Sequence, residues 1–125
     1  MSQTYEPFYL FQHPGFKDVH DAQRQSRLYG FRYRTDHATY QALCRQLKLR
    51  VPATNLEANL SRPLEAIPDN SALYILSIRP EARESLLPVL IEEALALGFC
   101  VHDDYRGQCH CAEGVWTVDG LMPRT

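Results

Sequence analysis

Cys100, His102, Cys109, His110 and Cys111 fall within twelve residues, and thiols and imidazoles at that density are the groups that hold zinc or pair a nucleophile with its base. What they can do depends on the turn joining a strand over Phe99 to Tyr105 with one over Gln108 to Glu113. Residues opposite one another on antiparallel strands share a face, and a one-residue slip reverses every assignment. A turn of two or four residues puts Cys100 and His102 on the face of Cys109 and Cys111, giving three thiolates and an imidazole, a set that zinc accepts tetrahedrally. A three-residue turn groups Phe99 and Val101 with Cys109 and Cys111, and leaves Cys100, His102, Asp104, Gln108 and His110 on the other face.

Tyr105-Arg106-Gly107, preceded by Asp104, suits the three-residue hairpin, a type I turn closing on a left-handed glycine. That register also separates apolar from polar side chains, so it is the one expected. It makes Cys109 and Cys111 small core residues and sets His102 opposite His110 on a wet face. The spacings Cys-x-His and Cys-His-Cys match none of the common zinc-ligand patterns, and no metal or cofactor is expected. A nucleophilic Cys100 with His102, Asp104 and His110 is poorly served, because residues i and i+2 of a strand lie about 6.5 to 7 Å apart and no helix amino terminus activates the thiol. No Gly-rich phosphate loop, His-Glu-x-x-His, Gly-x-Ser-x-Gly or spaced carboxylate pair occurs. No catalytic residue is assigned; the alternative is a metal- or thiol-dependent activity built on Cys100, His102, Cys109 and Cys111.

The elements that must position these residues follow from periodicity. Tyr5 to Gln12 reads as a strand, with Pro7 marking an edge or a strand start, and His13-Pro14-Gly15 as the turn after it. Phe16 to Leu28 carries a weak helical pattern. Tyr29, Phe31 and Tyr33 alternate with Gly30, Arg32 and Arg34 as in a half-buried strand; these aromatics interleaved with arginines resemble an RNA-recognition strand, but are read as core beneath a helix. Tyr40, Leu43, Cys44 and Leu47 recur at i, i+3, i+4 and i+7 in a helix capped by Thr35 or Asp36. Val51 to Asn70 holds three prolines, and forms either a short helical turn around Leu56 to Leu60 or a functional loop. Ser71 to Ile78 is apolar almost throughout, as for a central strand covered on both faces.

Arg79-Pro80-Glu81 opens a further helix with Leu86, Leu87, Leu90, Ala94 and Leu97 as its stripe and Gly98 as its stop. Pro88 predicts a kink there, or a helix that begins near Ser85. Val115 to Val118 extends the hairpin or makes a last short strand. The order predicts an α+β two-layer sandwich, a mixed, mostly antiparallel sheet with helices on one face and a C-terminal β-hairpin.

A chain of 125 residues, 45% apolar and 22% charged, is one ordinary domain spanning 1–125 that can bury a core without disulfides. The net charge of −2 argues against nucleic acid as a partner. Charge is unevenly spread: residues 1–50 carry eight Lys and Arg against four acids, and the remainder five Arg against eleven. No apolar run approaches the ~20 residues that span a bilayer, so no membrane partner is expected. Met1 to Phe11 lacks the basic start and cleavage site of a signal peptide, which points to the cytoplasm and reduced cysteines.

Residues 71–113 run as a strand, an amphipathic helix ending in Leu97-Gly98-Phe99, a strand into Asp103-Asp104 and a hairpin. This segment resembles one found in small bacterial proteins, some of them immunity proteins to secreted toxins. The resemblance implies a compact, non-enzymatic protein-binding domain that neutralises a toxin by occupying its active site. Toxins that attack nucleic acid have basic clefts, so Asp103 and Asp104 at the hairpin tip, with Glu84 and Glu92 on the exposed side of the last helix, are the candidate contact surface for a basic toxin domain.

Overall fold

The computed structural model describes residues 4–12, 20–21, 37–66 and 74–123. Among them are six strands, β1 (Glu6–Phe11), β2 (Tyr74–Ile78), β3 (Cys100–Asp103), β4 (Gln108–Cys111), β5 (Gly114–Thr117) and β6 (Gly120–Pro123). The helices are α1 (His37–Arg50), α2 (Ala53–Asn59) and α3 (Arg83–Ala96), with 3-10 turns at Leu64–Ala66 and Pro80–Ala82. The strands form one sheet in the order β2-β1-β3-β4-β5-β6 with every pairing antiparallel, and α1 and α3 pack together on one face. This is the α+β class read from the sequence. The strand expected over Tyr29 to Thr35 lies outside the described residues, as does nearly all of the weak helix over Phe16 to Leu28.

Alternation on β1 turns Glu6, Phe8 and Leu10 toward the helices and Pro7, Tyr9 and Phe11 away from them. The helix-side core joins Phe8, Leu10, Leu76, Ile78 and Val101 to Leu43, Leu47, Leu86 and Leu90. Each leucine buried this fully stabilises the fold by about 1.5 to 3 kcal/mol relative to exposure. The four apolar positions read from the α1 periodicity are its four buried residues. Tyr40 of α1 stacks on Tyr74 of β2 with ring centroids 4.2 Å apart, and its hydroxyl donates to the Leu64 carbonyl at 2.7 Å, which pins the 3-10 turn to the core.

One strand assignment is corrected, and for Pro7 the strand start is the alternative found. Ser71 to Ile78 was expected at the centre, yet among the described residues β2 is an edge strand with Ile75 43% exposed, and β3 and β4 hold the centre with β1 between β2 and β3. Pro7 is tolerated there because it is the second residue of the strand. The β2 edge is covered: Leu60 bridges Ile78, the Ser61 amide donates to Ser77 and the Arg79 amide to Asn59. That contact answers the Val51 to Asn70 alternative in favour of the helical turn. Pro88 lies inside α3 on its exposed side, so the helix begins at Arg83 and not near Ser85. At its end the Phe99 amide reaches Ala94 and the Gly98 amide reaches Leu95, the paired closure of a Schellman motif. The expected hairpin continues beyond β4 into a four-strand meander, and β6 is an element the sequence reading did not place.

Candidate functional site

The β3–β4 register pairs Val101 with His110, His102 with Cys109 and Asp103 with Gln108, so four residues, Asp104 to Gly107, form the turn. The three-residue turn is thereby corrected. Gly107 does adopt a positive φ of 64°, but Asp104 belongs to the turn as well, and the Arg106 amide donates to the Asp103 carboxylate at 3.2 Å. His102 and His110 therefore point to opposite faces and do not face one another. Cys100, His102, Cys109 and Cys111 share the face away from the helices, the arrangement of the alternative reading.

That face is not wet. Phe11, Cys100, Cys109 and Cys111 form a second buried cluster, with Tyr9 and Trp116 packed against it, and His102 is 0% exposed. Among the described residues no three His, Cys, Asp or Glu side chains come together closely enough to hold a metal. Successive same-face positions of a strand are separated by nearly 7 Å, whereas zinc ligands 2.3 Å from one metal must crowd within about 4 Å of each other.

Cys109 lies opposite His102, whose Nε2 is 3.3 Å from Asp104 Oδ1, a sequence of groups that in an open cleft would suggest a nucleophile and its base. The enclosure works against it. Burial pushes the Cys109 thiol well up, with the Cys100 and Cys111 sulfurs adding to the effect, and burial raises Cys44 and Cys111 too. The Cys111 thiol has two acceptors in reach, the Gly114 carbonyl at 3.5 Å and Glu113 Oε1 at 3.8 Å. All four cysteines are buried thiols outside any disulfide.

A raised thiol pKa means that the folded state favours the protonated form. The associated stability is complete below the ordinary thiol value near 9 and is lost as pH climbs through the folded one. Ellman's reagent is expected to find Cys44 and Cys109 silent in native protein at about pH 8 and all four thiols reactive in denaturant. The urea midpoint is expected to hold from about pH 7 to 8.5 and to fall above about pH 9, less steeply in Cys109→Ala. Rapid native labelling of Cys109 would show that this face opens.

Of the four acids predicted to form a contact surface, Asp103 is 0% exposed and turned toward the helices. Its Oδ2 takes a 2.6 Å hydrogen bond from Arg83 Nη2, while Arg83 Nη1 and Arg106 Nη1 both reach Glu6 Oε2, at 3.1 and 3.0 Å. The Arg83 guanidinium also sits 5.6 Å from the centre of the Phe8 ring. Two enclosed carboxylates and two arginines thus tie β1, α3 and the β3–β4 turn together. Asp104 is partly exposed beside His102, and Glu84 and Glu92 are exposed on α3 as expected.

These two glutamates line the lip of a groove of about 1020 Å³ between α3 and the strands β4 and β5. Leu87, Pro88, Ile91 and Leu95 form the helix wall, His110, Ala112 and Val115 the sheet side, and Arg83 and Arg106 one end. α3 is apolar on two sides: Leu86, Leu87, Leu90, Ile91 and Ala94 all belong to the buried core, with Leu95 packed against it, and Leu87, Ile91 and Leu95, at i, i+4 and i+8, also border the groove. The second side was legible as an excess of leucine and isoleucine around the helix, since a helix apolar on more than one side needs more than one cover. Glu6, Arg83 and Arg106 had no such signal. A smaller cavity of about 490 Å³ opens beside α2 and holds none of the predicted site residues. Among the described residues no helix is long and apolar enough to cross a membrane. No protein-family model, curated protein or solved structure matches the chain.

Proposed function

We propose that the chain is a non-catalytic protein-binding domain for a basic partner, with neutralisation of a secreted toxin as its most specific form. One observation carries the reading: Glu84 and Glu92 stand exposed on the lip of an open, largely apolar groove. Apolar walls supply affinity once water is displaced, and a rim of one sign selects partners of the other and speeds encounter. The enclosed thiols support the same reading, since a protonated sulfur without access to substrate is a poor nucleophile.

The test is affinity capture from the cells that make the protein, comparing wild type with the double variant Glu84→Lys/Glu92→Lys. Wild type is expected to recover a basic protein that the double variant loses at least tenfold, and rising salt should weaken the capture. Co-expression with the reading frame beside its gene tests the immunity form, with rescue of growth as the expected result. If no capture depends on the two glutamates, the reading falls.

A further inference from the structure

Three of the four thiols lie on the face away from the helices, in one cluster with Phe11. The ladder that joins Asp103 to Gln108, His102 to Cys109 and Val101 to His110 runs one step further to Cys100 and Cys111, the outermost residues of β3 and β4. Directly opposed residues of antiparallel strands have Cα atoms about 4.5 to 5.5 Å apart, inside the roughly 4.4 to 6.8 Å that a disulfide spans. Their Cβ atoms, about 4.5 to 5.5 Å apart, need at most about 1 Å of approach to bond. The other pairings fail on the same measure. Cys109 and Cys111 are successive same-face residues about 7 Å apart, Cys100 and Cys109 are diagonal neighbours at about 7 to 8 Å, and Cys44 belongs to the helix-side core.

We infer that Cys100 and Cys111 form a redox site, closed by a hydroperoxide into a cross-strand disulfide and reopened by thiols. Cys100 and Cys111 keep 5% and 3% exposure where Cys109 has none, so a small oxidant meets the outer pair first. The Cys111 sulfur attacks the terminal peroxide oxygen while its proton passes to Glu113 Oε1, 3.8 Å away. An S–O bond forms, the O–O bond breaks, and the departing alkoxide takes that proton and leaves as an alcohol, or as water from hydrogen peroxide. The Cys100 sulfur then attacks the resulting sulfenic acid. An S–S bond forms, the S–O bond breaks, and the hydroxide leaves with the Cys100 proton as water. Two thiols are oxidised by two electrons and one peroxide bond is reduced. Burial and the Glu113 charge hold the Cys111 thiol protonated, so closure is slow and answers sustained oxidant rather than turning over substrate.

The bond encloses the β3–β4 hairpin, with Asp103 and Arg106 inside the loop, and so removes freedom from the unfolded chain where the hairpin is tied to β1 and α3. Drawing the two strands together leaves the bond easily reduced, as suits a reversible device. Cys100 and Cys111 face away from the groove, and the inference stands apart from the protein-binding reading.

The test treats full-length protein with hydrogen peroxide, alkylates the remaining thiols in denaturant and digests with trypsin without reductant. Cleavage after Arg106 separates the partners, so the peptide Glu84 to Arg106 is expected to stay linked to Gly107 to Arg124. The thiol count in denaturant should fall from four to two, the urea midpoint should rise, and dithiothreitol should reverse both. In native protein the link to Cys111 should exceed that to Cys109 at least tenfold, whereas a chain oxidised in urea should give the two about equally. Cys111→Ala should lower the yield of the link at least tenfold and Cys109→Ala should leave it; the wild-type linkage map decides alone if either variant fails to fold. Linkage through Cys109, linkage between chains, or the same Cys111 to Cys109 ratio in native and denatured protein would overturn the inference. Four thiols persisting after peroxide has oxidised the exposed Met122, or an oxidised form with an unchanged or lower midpoint, would do so too.

Discussion

Arg83→Ala is expected to cost about 3 to 5 kcal/mol, a large share of the roughly 5 to 15 kcal/mol that holds an ordinary domain folded. The cause is what the substitution leaves behind. Asp103 is 0% exposed and Glu6 nearly as enclosed, and Arg83, at 2.6 and 3.1 Å, holds both carboxylates more closely and from a more enclosed position than Arg106, which is 4.0 Å from Asp103. Removing it leaves enclosed Asp103 with the Arg106 amide and a guanidinium 4.0 Å away, leaves Glu6 to Arg106 alone, and also strips the guanidinium from the face of Phe8. Arg106 touches Glu6 at 3.0 Å but is 40% exposed, so Arg106→Ala should cost only about 1 kcal/mol. Urea denaturation of the two variants checks the contrast. A loss below about 1 kcal/mol for Arg83→Ala would mean that the carboxylates find water or another cation.

Gly114→Ala is the second severe change. Gly114 opens β5 with φ at +147°, a conformation that side-chain-bearing residues rarely adopt, and a Cβ built there would land against the main-chain carbonyl oxygen of Met122 on β6. The obstruction is backbone held in a ladder, so it cannot rotate away. The strands must separate or the turn must move. Strain and overpacking each cost about 1 to 3 kcal/mol, and together they should detach β6 from the sheet. Amide exchange is expected to rise over Gly120 to Met122 while β1 and β3 stay protected, and unchanged protection of β6 would contradict the close approach.

Local signals were read well where one element decides them. The α1 stripe, the Gly98 stop and the β1 strand each rest on a few neighbouring residues, and each is found. The β3–β4 register was lost because the argument for it assumed one dry and one wet face. With Phe8 and Val101 buried on one side and Phe11, Cys100 and Cys109 on the other, the sheet is enclosed on both, so separating apolar from polar residues cannot choose between registers. Asp103 was placed at the surface for a related reason. A carboxylate reads as exposed unless its cation is known, and Arg83 stands twenty residues away on another element. The groove lip was more legible, since Glu84 and Glu92 depend only on the face of one helix.

The place of β1 has a consequence for how the chain reaches this fold. It is the first described strand to leave the ribosome, but it lies between β2 and β3 and can pair with neither until most of the chain has followed. Glu6 and Arg106, which meet at 3.0 Å, are one hundred residues apart in sequence. Closing loops of that length precedes the contacts that reward it, and such topologies fold in milliseconds to seconds rather than microseconds. Until β2 is made, Phe8, Leu10 and Phe11 form an apolar strand with neither of its described neighbours in place. The growing chain is therefore most exposed to aggregation early in synthesis, at the segment that ends between β2 and β3.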